Sequence, residues 1–305
     1  MTGAERMQAR LLPDGRRLHL QDGPIDLIID AVGPRNAVAA AYRAAASRFS
    51  FVLDELCAEL PKLRARAMTT PRAFSSPVAQ RMEQAVAPHA AEFITPMAAV
   101  AGSVADEILS AMRAEANDLA RIFVNNGGDI ALFLAPGQTT TLGLVSHPER
   151  PSLFARASLA ARDRIGGVAT SGAPGRSFSF GIADAVTILA RTAAEADAAA
   201  TIVANAVDLP SDPRIERKPA CSLQPDSDLG DRLVTRRVAR LDAASIAEAL
   251  ERGHERARGL IERGLVRAAA LHLQGRTRIL SAEDCDLAPK AEGHNIPGEL
   301  VHACC

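Results

Sequence analysis

Tryptophan is absent from the 305 residues and tyrosine occurs once, which leaves nine phenylalanines as nearly the whole aromatic content. A chain so poor in flat rings offers little on which nucleic-acid bases can stack. Its 35 basic residues against 36 acidic ones give a net charge of -1, so there is no basic field to draw a phosphate backbone. Both absences argue against a nucleic-acid partner. Long apolar runs are also missing: none approaches the roughly 18 residues of a membrane span. The opening Met1–Arg6 stretch shows no basic segment leading into an apolar one. The expectation is a cytoplasmic protein with no membrane partner. Cysteine is sparse: Cys57, Cys221, Cys285, Cys304 and Cys305 are odd in number and form no C-x-x-C pair. That argues against a disulfide framework and against a zinc ribbon.

What is present is enough apolar residue, 48% of the chain, to build a substantial core. Segments 8–12, 16–20 and 25–31 read as strands separated by Asp14-Gly15 and Asp22-Gly23, dipeptides that favour hairpin turns. An alanine-rich run from Pro34 to about Leu63 predicts helix, interrupted around Arg48 to Phe51 and ended near Pro61. A shorter helix is expected through 78–87, and a helix of small residues from Pro96 to Leu109. Segments 121–125, 129–134 and 139–145 predict a second antiparallel set, with further strands at 178–182 and 185–189. Beyond Pro210 the composition turns to Pro, Asp and Ser as far as Gly230, which suggests a linker-like excursion. A helix over 243–263 and strands at 268–274 and 277–280 follow, and 283–305 looks irregular. Strands and helices mixed through hairpin connections predict an α+β fold with antiparallel sheets. The expected organisation is a core over 1–210, the excursion at 211–230, and a helix and strand extension over 231–305. The charged helix from Glu251 to Arg263 reads as a solvated or oligomer-facing surface.

Three segments carry chemistry. In Asn126-Gly127-Gly128-Asp129 two glycines permit positive φ and expose backbone N–H groups, while Asp129 adds a carboxylate; a plain hairpin turn has the same signature. The run from Gly166 to Ser177 concentrates glycines and hydroxyls, with Thr170, Ser171, Gly172 and Ser177, and one guanidinium, Arg176. That composition suits phosphate or carboxylate, as it suits an ordinary surface loop, and the P-loop spacing is missing. Thr192-Ala193-Ala194-Glu195 is a capping-box pattern that starts a helix running to about Val207. Asp197, Thr201 and Asn205 then share one face, where a carboxylate and a hydroxyl can take a hard cation such as Mg²⁺. The alternative is that Thr201 bonds back to its own helix and Asp197 favours the helix dipole.

His19, His89, His147, His254 and His272 are scattered and read as structural. His294, His302, Cys304 and Cys305 fit no usual zinc spacing.

Taken in order, Asn126-Gly127-Gly128-Asp129-Ile130, Thr170-Ser171-Gly172 and Ala196-Asp197-Ala198-Ala199-Ala200-Thr201 resemble the ApbE-like flavin transferase superfamily. The segments from Pro96 to Gly102, from Gly175 to Gly181 and Ala183-Asp184-Ala185 look like its ApbE-related branch. The resemblance runs from about Ile25 to Val207. It implies an ApbE-like α+β fold and, in the transferases, Mg²⁺-dependent transfer of FMN from FAD to a protein threonine. It also implies that Asp197 and Thr201 hold the metal together with a backbone carbonyl at Val100-Ala101, taken here as that of Ala101. Asn126, Gly127, Gly128 and Asp129 would line the flavin nucleotide pocket, with Thr170, Ser171 and Gly172 as further cofactor contacts.

The chain departs from the transferase pattern at two places. Where the transferases carry a histidine-bearing segment after Thr-Ser-Gly, this one has Gly181-Ile182-Ala183-Asp184-Ala185, and Gly102 stands where they have a lysine. Arg176, Ser177 and Asp184 fill the vacated region and become the candidate catalytic residues, with Arg176 as a clamp on an anionic group. Three readings follow: an enzyme acting on a nucleotide or other anionic small molecule, with or without Mg²⁺, by transfer or hydrolysis; a non-enzymatic carrier of FAD, FMN or a nucleotide; and an accessory scaffold with a vestigial pocket.

Overall fold

The structure, a computed structural model, describes residues 6–146, 152–282, 286–289 and 301–303. It opens with strands β1 (Gln8–Leu11), β2 (Leu18–Asp22) and β3 (Ile25–Val32), followed by helices α1 (Arg35–Leu63), α2 (Pro77–Val86) and α3 (Val100–Glu115). Strands β4 (Arg121–Asn126), β5 (Asp129–Leu134), β6 (Thr139–Val145), β7 (Leu153–Ala160), β8 (Gly167–Ser171) and β9 (Ala185–Ala190) lead to helix α4 (Ala193–Ala206). The remainder comprises β10 (Ile215–Pro219), the single turn α5 (Ala220–Leu223), β11 (Leu233–Val238), α6 (Ala243–Glu262), β12 (Ala268–Leu273), β13 (Arg276–Ser281), β14 (Asp286–Pro289) and β15 (Val301–Ala303). The class is α+β, with antiparallel pairing throughout the described ladders except between β15 and β6.

Contacts group the chain into two units, each assembled from separated stretches. The first unit takes Met1–Thr139, Ala160–Val168 and Arg191–Ala198; the second takes Thr140–Leu159, Ala169–Ala190 and Ala199–Cys305.

In the first unit β1 to β5 pair in sequence order, so the opening meander and the β4–β5 hairpin form one antiparallel sheet, joined where Leu27 of β3 stands opposite Asn126 of β4. The alternation of β3, with Leu27 and Ile29 fully enclosed and Ile28 exposed, turns one face to the helices. Against it α1 sets Ala37, Ala41, Ala45, Phe49, Val52 and Leu56 at helical spacing, and α3 sets Val104, Ile108 and Met112. Each large side chain so enclosed contributes about 1.5–3 kcal/mol of burial.

The expected break in α1 at Arg48 does not occur. Phe49 is fully buried there, and the Arg48 guanidinium bridges Glu55 on its own helix and Glu107 on α3, at 2.7 Å to each. Pro61 sits in the last turn without ending the helix, since Arg64 N–H still reaches the Leu60 carbonyl.

In the second unit strands neighbour one another in the order β8-β9-β12-β13, a further sheet runs β14-β7-β6-β15, and β10 and β11 form a separate pair. Helix α6, capped at Asp242 by its side chain accepting from the N–H groups of Ala244 and Ser245, buries Ile246, Leu250, Ala257 and Leu260.

Three expectations change here. Segment 139–145 joins β7 in its own sheet instead of following β5, whose second neighbour is β8. Residues 178–182 form no strand, because the Phe180 N–H donates to Asn205 Oδ1 at 2.9 Å and the Gly181 N–H to Ser179 Oγ at 3.2 Å; side chains take the bonds a ladder would need. Residues 286–289, expected to be irregular, pair as β14 with β7. His147, Cys285, His294, Cys304 and Cys305 lie outside the described residues.

Candidate functional site

The first turn of α3, the β4–β5 hairpin and the first turns of α4 meet within the first unit. At the hairpin Asn126 and Asp129 stand opposite each other, so the two-residue turn is Gly127-Gly128, with φ of 64° and 115°. The Asn125 side chain accepts the Gly128 N–H at 2.8 Å and locks the turn. The Asn126 amide donates to the Ala101 carbonyl at 3.1 Å, which fixes the hairpin against the start of α3.

On α3, Gly102 lets two backbones touch. A Cβ at this position would lie 2.2 Å from the carbonyl oxygen of Ala193, closer than any side chain tolerates. The Gly102 N–H donates to Asp197 Oδ2 at 3.0 Å. One turn further, Asp106 accepts the N–H groups of Ala193 and Ala194 at 3.0 and 2.9 Å, and Thr192 Oγ1 accepts that of Glu195 at 3.1 Å. Three of the four orphan donors at the start of α4 are thereby met, two of them by a carboxylate 87 and 88 residues away in sequence. The capping box expected at Thr192 is present in its hydroxyl half.

The electrostatics of this corner are acidic. Desolvation pushes the Asp197 carboxyl well above the ordinary carboxylate range, and the charge of Asp129 pushes it further, against the N–H groups of Gly102 and Ala101. Asp106 is raised to about 6, again by desolvation, with the two α4 N–H groups and Arg81 pulling the other way. Of the charges acting most strongly on Asp197, Asp129 and then Asp106, both are negative. Such a set favours protons or a hard cation. No cluster of three or more Asp, Glu, His or Cys able to hold a metal occurs among the described residues, so a cation here would need the Ala101 carbonyl and water beside its carboxylates.

A family model described as AbpE bacteria matches residues 9–279. The chain belongs to this AbpE family.

Relatives of this AbpE-family chain include a UPF0280 protein of Methanospirillum hungatei, 34% identical over 134 residues, covering 41% of this chain and 50% of that protein. A UPF0280 protein of Methanopyrus kandleri is 37% identical over 128 residues, covering 42% and 48%. The chain spans about half the length of these curated relatives. Among solved structures, the ApbE protein of Thermotoga maritima gives a TM-score of 0.45 at 14% identity, over 90% of this chain and 97% of that one. The flavin transferase ApbE of Vibrio cholerae gives 0.44 at 12%, over 90% and 98%. Likeness of this order transfers no residue's role.

The remaining candidates of the AbpE-family chain lie in the second unit. Thr170, on β8, is buried with its hydroxyl 2.8 Å from that of Thr187 on β9. Gly172 is pressed against Asp184, whose carbonyl oxygen would be 2.5 Å from an added Cβ. Asp184 Oδ2 accepts the Gln274 N–H at 2.6 Å and so steadies the turn between β12 and β13. Ser171 is half-buried, and Arg176 and Ser177 are exposed. Asn205, on the expected shared face with Asp197 and Thr201, holds the Phe180 segment. Residues 166–171, expected as loop, are largely strand, and the glycines there serve packing: a Cβ at Gly167 would fall 2.1 Å from the backbone of Ala193.

Sequence reasoning missed Asp106. The signal was the Asp106-Glu107 pair that ends a run of small residues one turn after Gly102, but the partners of Asp106, Ala193 and Ala194, announce nothing in the sequence.

Proposed function

We propose that this AbpE-family chain binds a nucleotide or another anionic small molecule through a divalent cation held at Asp197, and acts on it by group transfer or hydrolysis. The observation that carries the reading is the Asp197 carboxyl, desolvated and raised by the neighbouring Asp129 charge at a point where Gly102 brings two helices into backbone contact. A corner that concentrates like charges is costly unless protonated or matched by a cation. Its donors are all oxygens, the set a hard ion such as Mg²⁺ accepts. Asp197, Asp129 and the Ala101 carbonyl are the residues for it. Bound there, the cation supplies charge neutralisation for an anionic group of the ligand.

The chain's own residues prepare that corner. Asn126 orients the Ala101 carbonyl, Asn125 holds the glycine turn, and Asp106 fixes the start of α4 and hence the position of Asp197. Gly127, exposed at the tip of the hairpin, has no side chain to cover its backbone, and FAD, FMN or another nucleotide can lie there. The family resemblance supports a flavin as ligand. The missing histidine segment and Gly102 in place of a lysine stop the reading short of FMN transfer to a protein.

A second reading, a carrier without chemistry, draws support from Asp184. This candidate catalytic carboxylate is engaged by the Gln274 N–H at 2.6 Å, a structural use.

The test is a thermal-shift titration of the whole chain with Mg²⁺, then with FAD, FMN and ATP in its presence. Wild-type protein should gain stability with Mg²⁺, and Asp197→Asn should lose that gain while remaining folded. An unchanged Mg²⁺ response in Asp197→Asn overturns the assignment. Turnover of a bound nucleotide separates enzyme from carrier.

A further inference from the structure

A concave site apart from the Asp197 corner lies wholly within the first unit. It is an open cleft of about 640 Å³ beside the start of α4, lined by four arginines, Arg81, Arg113, Arg164 and Arg191. Asp197, Asp129, Asn126, Ala101 and Gly102 are not among its lining residues. Along β5 it borders Leu132, Phe133 and Leu134, the opposite end of the strand from Asp129.

The four guanidiniums are unequal. Arg81 is bonded to Glu107 at 2.7 Å and Arg191 to Glu195 at 3.0 Å. Arg113 and Arg164 pair with no carboxylate among the described residues. Arg113 lies over the Phe133 ring, 4.0 Å from its centre, a cation–π contact that restrains the guanidinium at the cleft wall. Arg164 is exposed and stands at φ 52°, a left-handed backbone rarely taken by a residue with a side chain, at the turn that leads into Ile165 and Gly166 of the cleft wall. The lining carboxylates are Asp106, whose oxygens are taken by the N–H groups of Ala193 and Ala194, and Glu195, whose Oε1 is paired with Arg191 while its Oε2 is buried without a hydrogen-bond partner. The wall thus carries four positive groups against two negative ones, and the two free cations are both arginines. Leu109, Leu132, Phe133 and Ile165 give it an apolar floor.

We propose that this cleft binds a phosphorylated small molecule, with its phosphate or diphosphate between Arg113 and Arg164 and its body against Phe133 and Ile165. Guanidinium forks match phosphate oxygens two at a time, and a stacked guanidinium loses little freedom in binding. The volume suits a molecule of nucleotide or sugar-phosphate size. The site needs no metal, and the proposal does not rest on the reading of Asp197.

The experiment uses the whole chain in EDTA, with inorganic pyrophosphate as probe and ribose 5-phosphate as a second, followed by calorimetry and thermal shift. Wild-type protein should bind both. The double variant Arg113→Gln with Arg164→Asn should weaken pyrophosphate binding at least tenfold, and asparagine tolerates the left-handed backbone at 164, so the fold is spared. Arg162→Gln is the control, since the Arg162 side chain is 88% exposed and does not line the cleft; it should bind as wild type does. Asp197→Asn should also keep its pyrophosphate affinity. No binding of either probe by wild-type protein, or equal binding by the double variant, overturns the proposal. Loss of binding in Asp197→Asn alone moves the anion to the other site and overturns it as well.

Discussion

The Gly102 N–H donates to Asp197 Oδ2 at 3.0 Å, and the same glycine leaves the space into which the Ala193 carbonyl projects. One residue therefore sets both the helix spacing and the environment of the acid. Gly102→Ala should force α3 and the start of α4 apart, because its Cβ would fall 2.2 Å from backbone that cannot rotate away. A loss of about 1–3 kcal/mol is expected from such overpacking, read by urea denaturation. A variant as stable as wild type would show that the two helices are free to separate.

Asp197 itself should behave as a site held at the expense of stability. Its folded-state pKa is raised, so the ionised form is disfavoured in the fold at neutral pH. Asp197→Asn removes that charge and retains an oxygen to accept from Gly102. In metal-free buffer at pH 7.5 its melting temperature should equal or exceed that of wild type. A markedly lower one would mean that the carboxylate is structural.

Asp106 provides the pH prediction. Burial raises its carboxyl to about 6 in the fold, against 3.8 for an unperturbed aspartate, so between those values the folded state holds a proton that the unfolded chain has released. Its contribution to stability therefore grows as pH falls through 6 and is absent well above it. Between pH 7.5 and pH 5 the stability of wild type relative to Asp106→Asn should rise by about 1.4 kcal/mol. Denaturant melts of both proteins at the two pH values measure the difference, and a flat difference would place the Asp106 pKa in the normal carboxylate range.

At the hairpin, Gly128 has φ 115° and donates its N–H to Asn125. Gly128→Val should cost about 1–3 kcal/mol from backbone strain. It should also weaken nucleotide binding beyond what the stability loss explains, if backbone there faces the ligand. Nucleotide affinity equal to wild type in the folded variant would leave the hairpin a turn and nothing more.

Asn205→Ala should leave the Phe180 N–H without its acceptor, for a loss of about 1–3 kcal/mol. Asn205→Asp, which keeps the oxygen, should recover most of it. Equal losses in both would point to packing in place of the hydrogen bond.

Much of the fold was legible because it is local. Asp14-Gly15 and Asp22-Gly23 place glycines at φ 66° and 56° in the opening meander, and Gly275 at 82° turns β12 into β13, as the dipeptides and the glycine indicate. The apolar spacing of α1 and of α6 marks which face is buried, since a helix of period 3.6 must put those residues on one stripe. The capping hydroxyl of Thr192 was legible for the same reason: its acceptor and donor are three residues apart.

The site was legible only as a list. Asn126, Asp129 and Asp197 stood out by type, but that Asn126 holds the Ala101 carbonyl and that Asp129 raises the Asp197 carboxyl depends on contacts between residues 25 and 68 positions apart. Asp106 capping α4 from α3, and segment 178–182 bonding to Asn205 instead of to a strand, belong to the same class. By itself the sequence determined where the chain turns, where its helices begin, and which residues could bear charge in a pocket, because propensity, capping and periodicity act within a few residues. Only the tertiary structure decided which carboxyls lose their water and which lie beside a like charge. It also decided which guanidiniums are left without a carboxylate, because desolvation and Coulomb forces follow distance in space and not in sequence.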